Sequence, residues 1–246
     1  NIDRANNCIV QTMASIKDMP KSAPEALYEL GKSDIKNRAA LYQALMDDPR
    51  INKKAIEILF HLGYFNKFAQ PNRLITEYEI YQKYISVKVL TKSSFDDIMI
   101  DVIRPCCGKE TEKQFREIDN RALITALIKQ ANIKPTTIVD RIKWQLEYLG
   151  YCTVNDPKSD PNDWLVLDVK TTGYGTVYVT AYNLCYGAER TYRANKKFWT
   201  NHQLSKGDVI RAVLQEKNKM KKDENGEWVV LSETYQEMKV WKKLEV

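Results

Sequence analysis

The chain has 246 residues, 43% of them hydrophobic, and no apolar run approaches the roughly 18 residues that a membrane helix needs. Lys and Arg number 38 against 32 Asp and Glu, a net charge of +6. The excess is uneven: 13 basic against 10 acidic residues over 1–90, 11 against 11 over 91–160 and 14 against 11 over 161–246, so a polyanion would meet the two ends. Five cysteines (Cys8, Cys106, Cys107, Cys152 and Cys185) are an odd number with no CxxC spacing. That usage argues against a disulfide framework or a zinc site and for reduced thiols in a cytoplasmic protein. The opening NIDRANNCIV has neither a basic leader before an apolar core nor an initiating Met, so we expect no signal peptide and a segment of a longer protein.

Residues 1–150 read as helical. Ala26, Leu27 and Leu30 form an apolar stripe ended by Gly31, and Ala39, Leu41, Tyr42 and Leu45 form another that stops before Pro49. Asn52 is placed to cap the amide of Lys54 or Ala55, with Ile51 and Ile56 as a hydrophobic staple. The helix it starts carries Ile56, Leu59 and Phe60 on one face and ends at Gly63. Arg50, Lys53 and Lys54 gather around its first turn, where unpaired amides already favour an anion, so a phosphate could sit there; a solvated turn is the alternative. Further helices are expected around Leu74–Tyr81, Ile98–Ile103 and Leu123–Ile128. Arg104–Ile118 has no period and reads as a connector. Pro135 then opens a helix with Ile138, Ile142, Leu146 and Leu149 on one stripe, closed by Gly150. Asp97 and Asp101 share a helix face and could hold a metal, although Ser94 and Asp97 also have capping spacing. His61 and His202 stand apart from any nucleophile and read as structural, and Gly108-Lys109 lacks the spacing of a phosphate loop.

After the turn-rich Asn155–Pro161 boundary the period changes to two. Trp164–Thr171 alternates with Leu165, Leu167 and Val169 inward, and Gly173-Tyr174-Gly175 makes a turn. Val177, Val179 and Ala181 then share one face, and Thr176, Tyr178, Thr180, Tyr182 and Tyr186 the other. Rings on one face, with Arg190, Tyr192, Arg193, Lys196 and Lys197 following, suit bases stacked on aromatics and phosphates tracked by cations. An ordinary strand with a Tyr/Thr solvent face has the same pattern. A third strand over Asp208–Lys217, the basic stretch Lys217, Lys219, Lys221 and Lys222, the Asn225-Gly226 turn, and strands at Trp228–Leu231 and Tyr235–Leu244 complete the count. The expectation is an α+β chain: an all-helical part and a five-stranded OB-fold barrel, divided 1–90 (helical, DNA-binding), 91–158 (helical linker) and 161–246 (barrel).

INKKAIEILFHLGYFNKF, Ile51–Phe68, resembles the helix-hairpin-helix stretch that closes the fingers of the bacterial replicative DNA polymerase III α subunit. QLEYLGYCTVNDP, Gln145–Pro157, is similar to the family's segment before its OB domain, with Glu147, Leu149, Gly150 and Tyr151 near its recognisable positions. The strand pair Asp168–Asn183 falls where that barrel begins. The barrel departs from the family in its tyrosine-rich second strand and its Lys217–Trp228 hairpin, features closer to phage- or prophage-like members. The resemblance implies a DNA-binding C-terminal fragment of a nucleotidyltransferase whose two metal ions, Mg²⁺, belong to palm aspartates. That palm pattern does not occur here, so no catalytic, cofactor or metal residue is assigned. It also implies DNA, duplex and single-stranded template, as partner, with the sliding clamp or other replisome subunits as further partners and no membrane. The nucleic-acid residues expected are Arg50, Asn52, Lys53, Lys54, Tyr178, Tyr182, Arg190, Tyr192, Arg193, Lys196, Lys197, Lys219, Lys221 and Lys222. A replisome docking module and an independent enzyme using Asp97 and Asp101 are the competing readings.

Overall fold

The structure is a computed structural model that describes residues 2–3, 8–9, 13–194 and 203–244. It is an α+β protein of two compact units, Asn1–Tyr151 and Cys152–Val246. In the first unit a short antiparallel pair, β1 (Ile2–Asp3) and β2 (Cys8–Ile9), precedes α1 (Ala23–Gly31), α2 (Arg38–Asp47), α3 (Lys53–His61) and α4 (Pro71–Tyr84). The Asn52 side chain accepts from the Ala55 amide at 2.8 Å, which starts α3. Ala55, Ile56, Ile58, Leu59 and Phe60 of α3 are all at most 2% exposed. The apolar residues of α3 cover more than half of its circumference, opposite Lys53, Lys54 and Glu57, and feed two clusters: Ile56, Leu59 and Phe60 join Leu41, Tyr42, Leu45, Leu74 and Tyr78, while Ile58 meets Ile16 and Tyr148. Just past the helix Gly63 has φ +78°, and a Cβ there would stand 2.5 Å from the Asn66 side chain. The positive φ is what favours glycine there, since the Asn66 side chain could move aside.

The expected division at residue 90 runs through a strand. β3 (Val89–Thr91) pairs with a strand that the sequence hid, because Arg104–Ile118 is no simple connector. After α5 (Asp97–Ile103) come β4 (Cys107–Glu110) and β5 (Gln114–Ile118), giving an antiparallel sheet in the order β3-β5-β4. The first unit is therefore not all-helical. Within β4 and β5 only Phe115 is buried, opposite Leu90, so the pair carries almost no apolar alternation to read. α5 is capped by Asp96, which accepts from the Met99 amide at 2.8 Å; Ser94 closes a 3-10 turn instead of making the expected cap. α6 (Asn120–Gln130) is capped by Asp119, and α7 (Ile138–Leu149) by Thr137, not opened by Pro135. Thr137 and Asp140 form a reciprocal capping box, and Gly150, with φ +78°, ends α7 as expected. The buried side of α7 is Val139, Ile142 and Tyr148, a shift from the expected Ile138–Leu149 stripe.

The second unit is a closed five-stranded barrel: β6 (Asp163–Thr171), β7 (Val177–Asn183), β8 (Glu189–Ala194), β9 (Val209–Lys222) and β10 (Trp228–Leu244). Around the barrel the order is β6-β7-β8-β10-β9 and back to β6; the β8–β10 contact is parallel and the others are antiparallel. Trp164 and Val166 join the interior cluster with Val177, Val179, Ala181, Tyr192, Ile210, Ala212, Met238 and Val240; Leu165 is fully buried, as expected, but outside that cluster, and Leu167 is half-buried. The reason is a bulge between Val166 and Asp168 that inserts one residue into β6, so Val169 returns to the inner face. The Trp164 indole donates to the Ala212 carbonyl at 3.1 Å and meets Tyr192 edge-on at 5.4 Å. The two closing strands expected at Trp228–Leu231 and Tyr235–Leu244 are one strand, β10, with an irregularity between Val230 and Thr234.

Candidate nucleic-acid interface

Beyond the barrel wall β9 and β10 continue as a two-stranded arm, paired through Asn218–Thr234, Met220–Val230, Lys221–Val229 and Lys222–Trp228. The turn at its tip is held by Asp223, whose side chain accepts from the Asn225 and Glu227 amides at 2.9 Å. Away from the barrel there is no interior to fill, and Met220, Trp228, Val229 and Val230 are 54, 62, 46 and 57% exposed. Among the described residues β8 and β10 pair at Arg193–Glu237 and Ala194–Met238. Beside that short contact lies a groove of about 900 Å³, lined by Arg190–Arg193, the arm residues Asn218, Lys219, Met220 and Trp228, and Tyr178, Tyr235 and Gln236.

The groove has rings and cations side by side. Tyr178, 41% exposed, stands opposite Arg193 in the β7–β8 register. The Arg193 guanidinium lies 5.2 Å from the Tyr235 ring centroid, and its Nη1 donates to the Tyr235 hydroxyl at 3.4 Å. Lys222 stands 5.6 Å over the Trp228 ring. The Lys219 ammonium pairs with Glu233 at 2.7 Å and holds that carboxyl below its usual range; both side chains are more than half exposed, so a phosphate could replace the carboxylate at little cost. Lys217 is held against the buried Glu237 and supports the wall. Thr180 and Thr191 hydroxyls meet at 2.8 Å across β7 and β8.

Of the residues expected from sequence, Tyr178, Arg190, Tyr192, Arg193 and Lys219 line this one groove, with Lys222 beside it and Lys221 exposed along the arm. Two are not base platforms. Tyr182 is 2% exposed, donates to the Val154 carbonyl at 2.7 Å, and has its phenol pushed well up by burial. The chain around Val154 covers this end of β7, so alternation along the strand alone could not reveal the burial. Tyr192 is 5% exposed and points with Ala194 into the interior. Lys196 and Lys197 lie outside the described residues. Trp228, Tyr235, Met220 and Asn218 were missed; a tryptophan two residues after the Asn225-Gly226 turn, at the tip of a basic hairpin, was the available signal.

At the start of α3 the cations are largely engaged. Arg50 ion-pairs with Glu29 at 2.5 Å and Asp48 at 2.7 Å, Asn52 is used as a cap, and Lys54 pairs with Glu57 at 3.6 Å and lies 5.5 Å from the Tyr148 ring. Lys53 is exposed and remains the candidate for a phosphate at that turn. Asp101 pairs with Arg104 at 2.5 Å, and among the described residues no three His, Cys, Asp or Glu side chains converge as metal ligands. Among the described residues no helix is long and apolar enough to cross a membrane. No family model, curated protein or solved structure matches the chain.

Proposed function

We propose that this chain binds single-stranded nucleic acid in the β8–β10 groove, and that its barrel is of the OB type. The observation that carries the reading is the groove itself, which Tyr178, Tyr235 and Trp228 line together with Arg190, Arg193 and Lys219. Rings accept the faces of unpaired bases, and interleaved cations take the phosphates between them. The barrel order, with its one parallel contact between the third and fifth strands, supports the OB assignment. Sequence readout needs directed donors and acceptors, whereas stacking is indifferent to base identity, so binding has little sequence preference. The test is anisotropy of a labelled oligothymidylate and a mixed-sequence strand with the intact chain. Similar affinity for both, lost with Tyr178→Ala and Trp228→Ala, supports the reading; preference for duplex over either strand refutes it.

The resemblance of Ile51–Phe68 and Gln145–Pro157 to the DNA polymerase III α subunit gives this function a setting. In it the barrel meets single-stranded template while the helical unit lies along duplex DNA. The ion pairs of Arg50 and Lys54 favour a small duplex contribution, through Lys53.

A further inference from the structure

The helical unit carries a groove of its own, of about 1000 Å³, between α2, α4 and α6. On α4 and its C-terminal cap it is lined by Glu77, Tyr81 and Ile85, spaced i, i+4, i+8, and on α6 by Arg121, Ile124 and Ile128, spaced i, i+3, i+7. Each set is one helical face, so the groove follows the helices for about 12 Å, eight residues at ~1.5 Å rise. Half-buried Ile85, Ile128 and Phe68 give it an aliphatic and phenyl floor. Its rim is cationic: Lys36, Arg38, Lys67 and Arg121. The carboxylate in the lining, Glu77, is 1% exposed and already neutralised, taking the Nε of Arg38 at 2.6 Å and of Arg73 at 2.7 Å. Glu77 takes only the Nε of Arg38, a side chain 40% exposed, so its terminal nitrogens are left to an incoming acceptor.

We propose that this groove docks a short acidic segment of a partner protein, with aliphatic or phenyl side chains on the floor and carboxylates against the rim. Charge complementarity selects an anion, and the floor decides which kind. Unpaired bases need aromatic faces, which the barrel groove has; isoleucines packed along two helices instead suit the apolar stripe of an amphipathic helix about two turns long. The proposal stands apart from the nucleic-acid reading, because its residues belong to a different unit.

The probe is a set of fluorescein-labelled peptides with Leu, Ile or Phe at helical spacing between Asp and Glu, beside a matched set with Lys in place of the acids. Anisotropy with the full chain measures affinity, and isoleucine methyl NMR locates the contact. Acidic members should bind and shift the Ile85, Ile124 and Ile128 methyls, and Lys67→Glu with Arg121→Glu should weaken binding at least about tenfold. Both cations are exposed and outside the Glu77 cluster, so the fold is retained; Lys67→Gln with Arg121→Gln, a milder pair, should give an intermediate loss. The proposal fails if no acidic peptide binds, if the Lys set binds equally, if both double variants bind as well as the parent chain, or if oligothymidylate rather than peptide moves the three methyls.

Discussion

Tyr178 and Tyr182 are four residues apart on β7, yet one ring is open to a groove and the other is closed in by the chain around Val154. Tyr178→Ala should therefore weaken oligothymidylate binding roughly five- to hundred-fold, the worth of one stacked base, while leaving the melting temperature unchanged. Tyr182→Phe should do the reverse. It leaves the Val154 carbonyl with the weak Cys152 thiol as donor, at a cost of about 1 kcal/mol in denaturant unfolding, and leaves affinity intact. A Tyr182→Phe chain that is fully stable but binds weakly would place that ring in the interface. His61 belongs to the same scale. It stacks on Trp144 at 4.1 Å, and burial lowers its pKa below the usual 6.5, outweighing nearby Glu57 and Glu147. The unfolded chain then binds the proton more readily than the folded one, so His61 contributes stability that is present above pH 6.5 and lost as pH falls through that value toward the lower folded pKa. Chemical denaturation at pH 5.5 and 7.5 should show this slope, and His61→Gln should flatten it; an unchanged slope would mean the ring gains no charge in that window.

At the scale of elements, end signals were more legible than faces. Asn52 as a cap and Gly63 and Gly150 as terminators could be read directly, because each depends on backbone geometry within a few residues. Faces depend on what packs from elsewhere: with the bulge after Val166, Trp164 and Val166 face the barrel interior where Leu165 and Leu167 were expected, while Val169 keeps its expected inner place, and β4–β5 stayed hidden because Phe115 alone is buried in them. The capping box of α7 gives a clean check: Thr137→Ala removes the hydroxyl that accepts from the Asp140 amide, leaves the Asp140 carboxylate on the residue-137 amide, and should cost about 1 kcal/mol in unfolding free energy. The β9–β10 arm is the opposite case, an element that packs little and displays much. Trp228 is 62% exposed, so Trp228→Ala should change stability by less than about 0.5 kcal/mol. The same substitution should cost roughly five- to hundred-fold in affinity for a single strand. An early melt would assign the indole to folding instead.

For the whole molecule, the alternation of rings and cations after residue 174 pointed to the barrel, and the structure gathers Tyr178, Arg190 and Arg193 with the unforeseen Trp228 and Tyr235 into one groove. Local pattern could find β7 and β8 but not their neighbour across the parallel contact, since β10 comes some forty residues later in the chain. The two units also divide the surface chemistry: aromatic rings with cations on the barrel, aliphatic floor with cations among the helices. The most direct measurement is the salt dependence of oligothymidylate binding by the intact chain, its Arg190→Ala/Arg193→Ala variant and its Tyr178→Ala/Trp228→Ala variant. If the groove holds the strand, removing two cations should make the log-affinity against log-salt slope shallower by roughly 1.4, and removing two rings should weaken binding at every salt concentration with the slope preserved. No binding at low salt, or a slope and affinity that neither variant changes, would contradict the account.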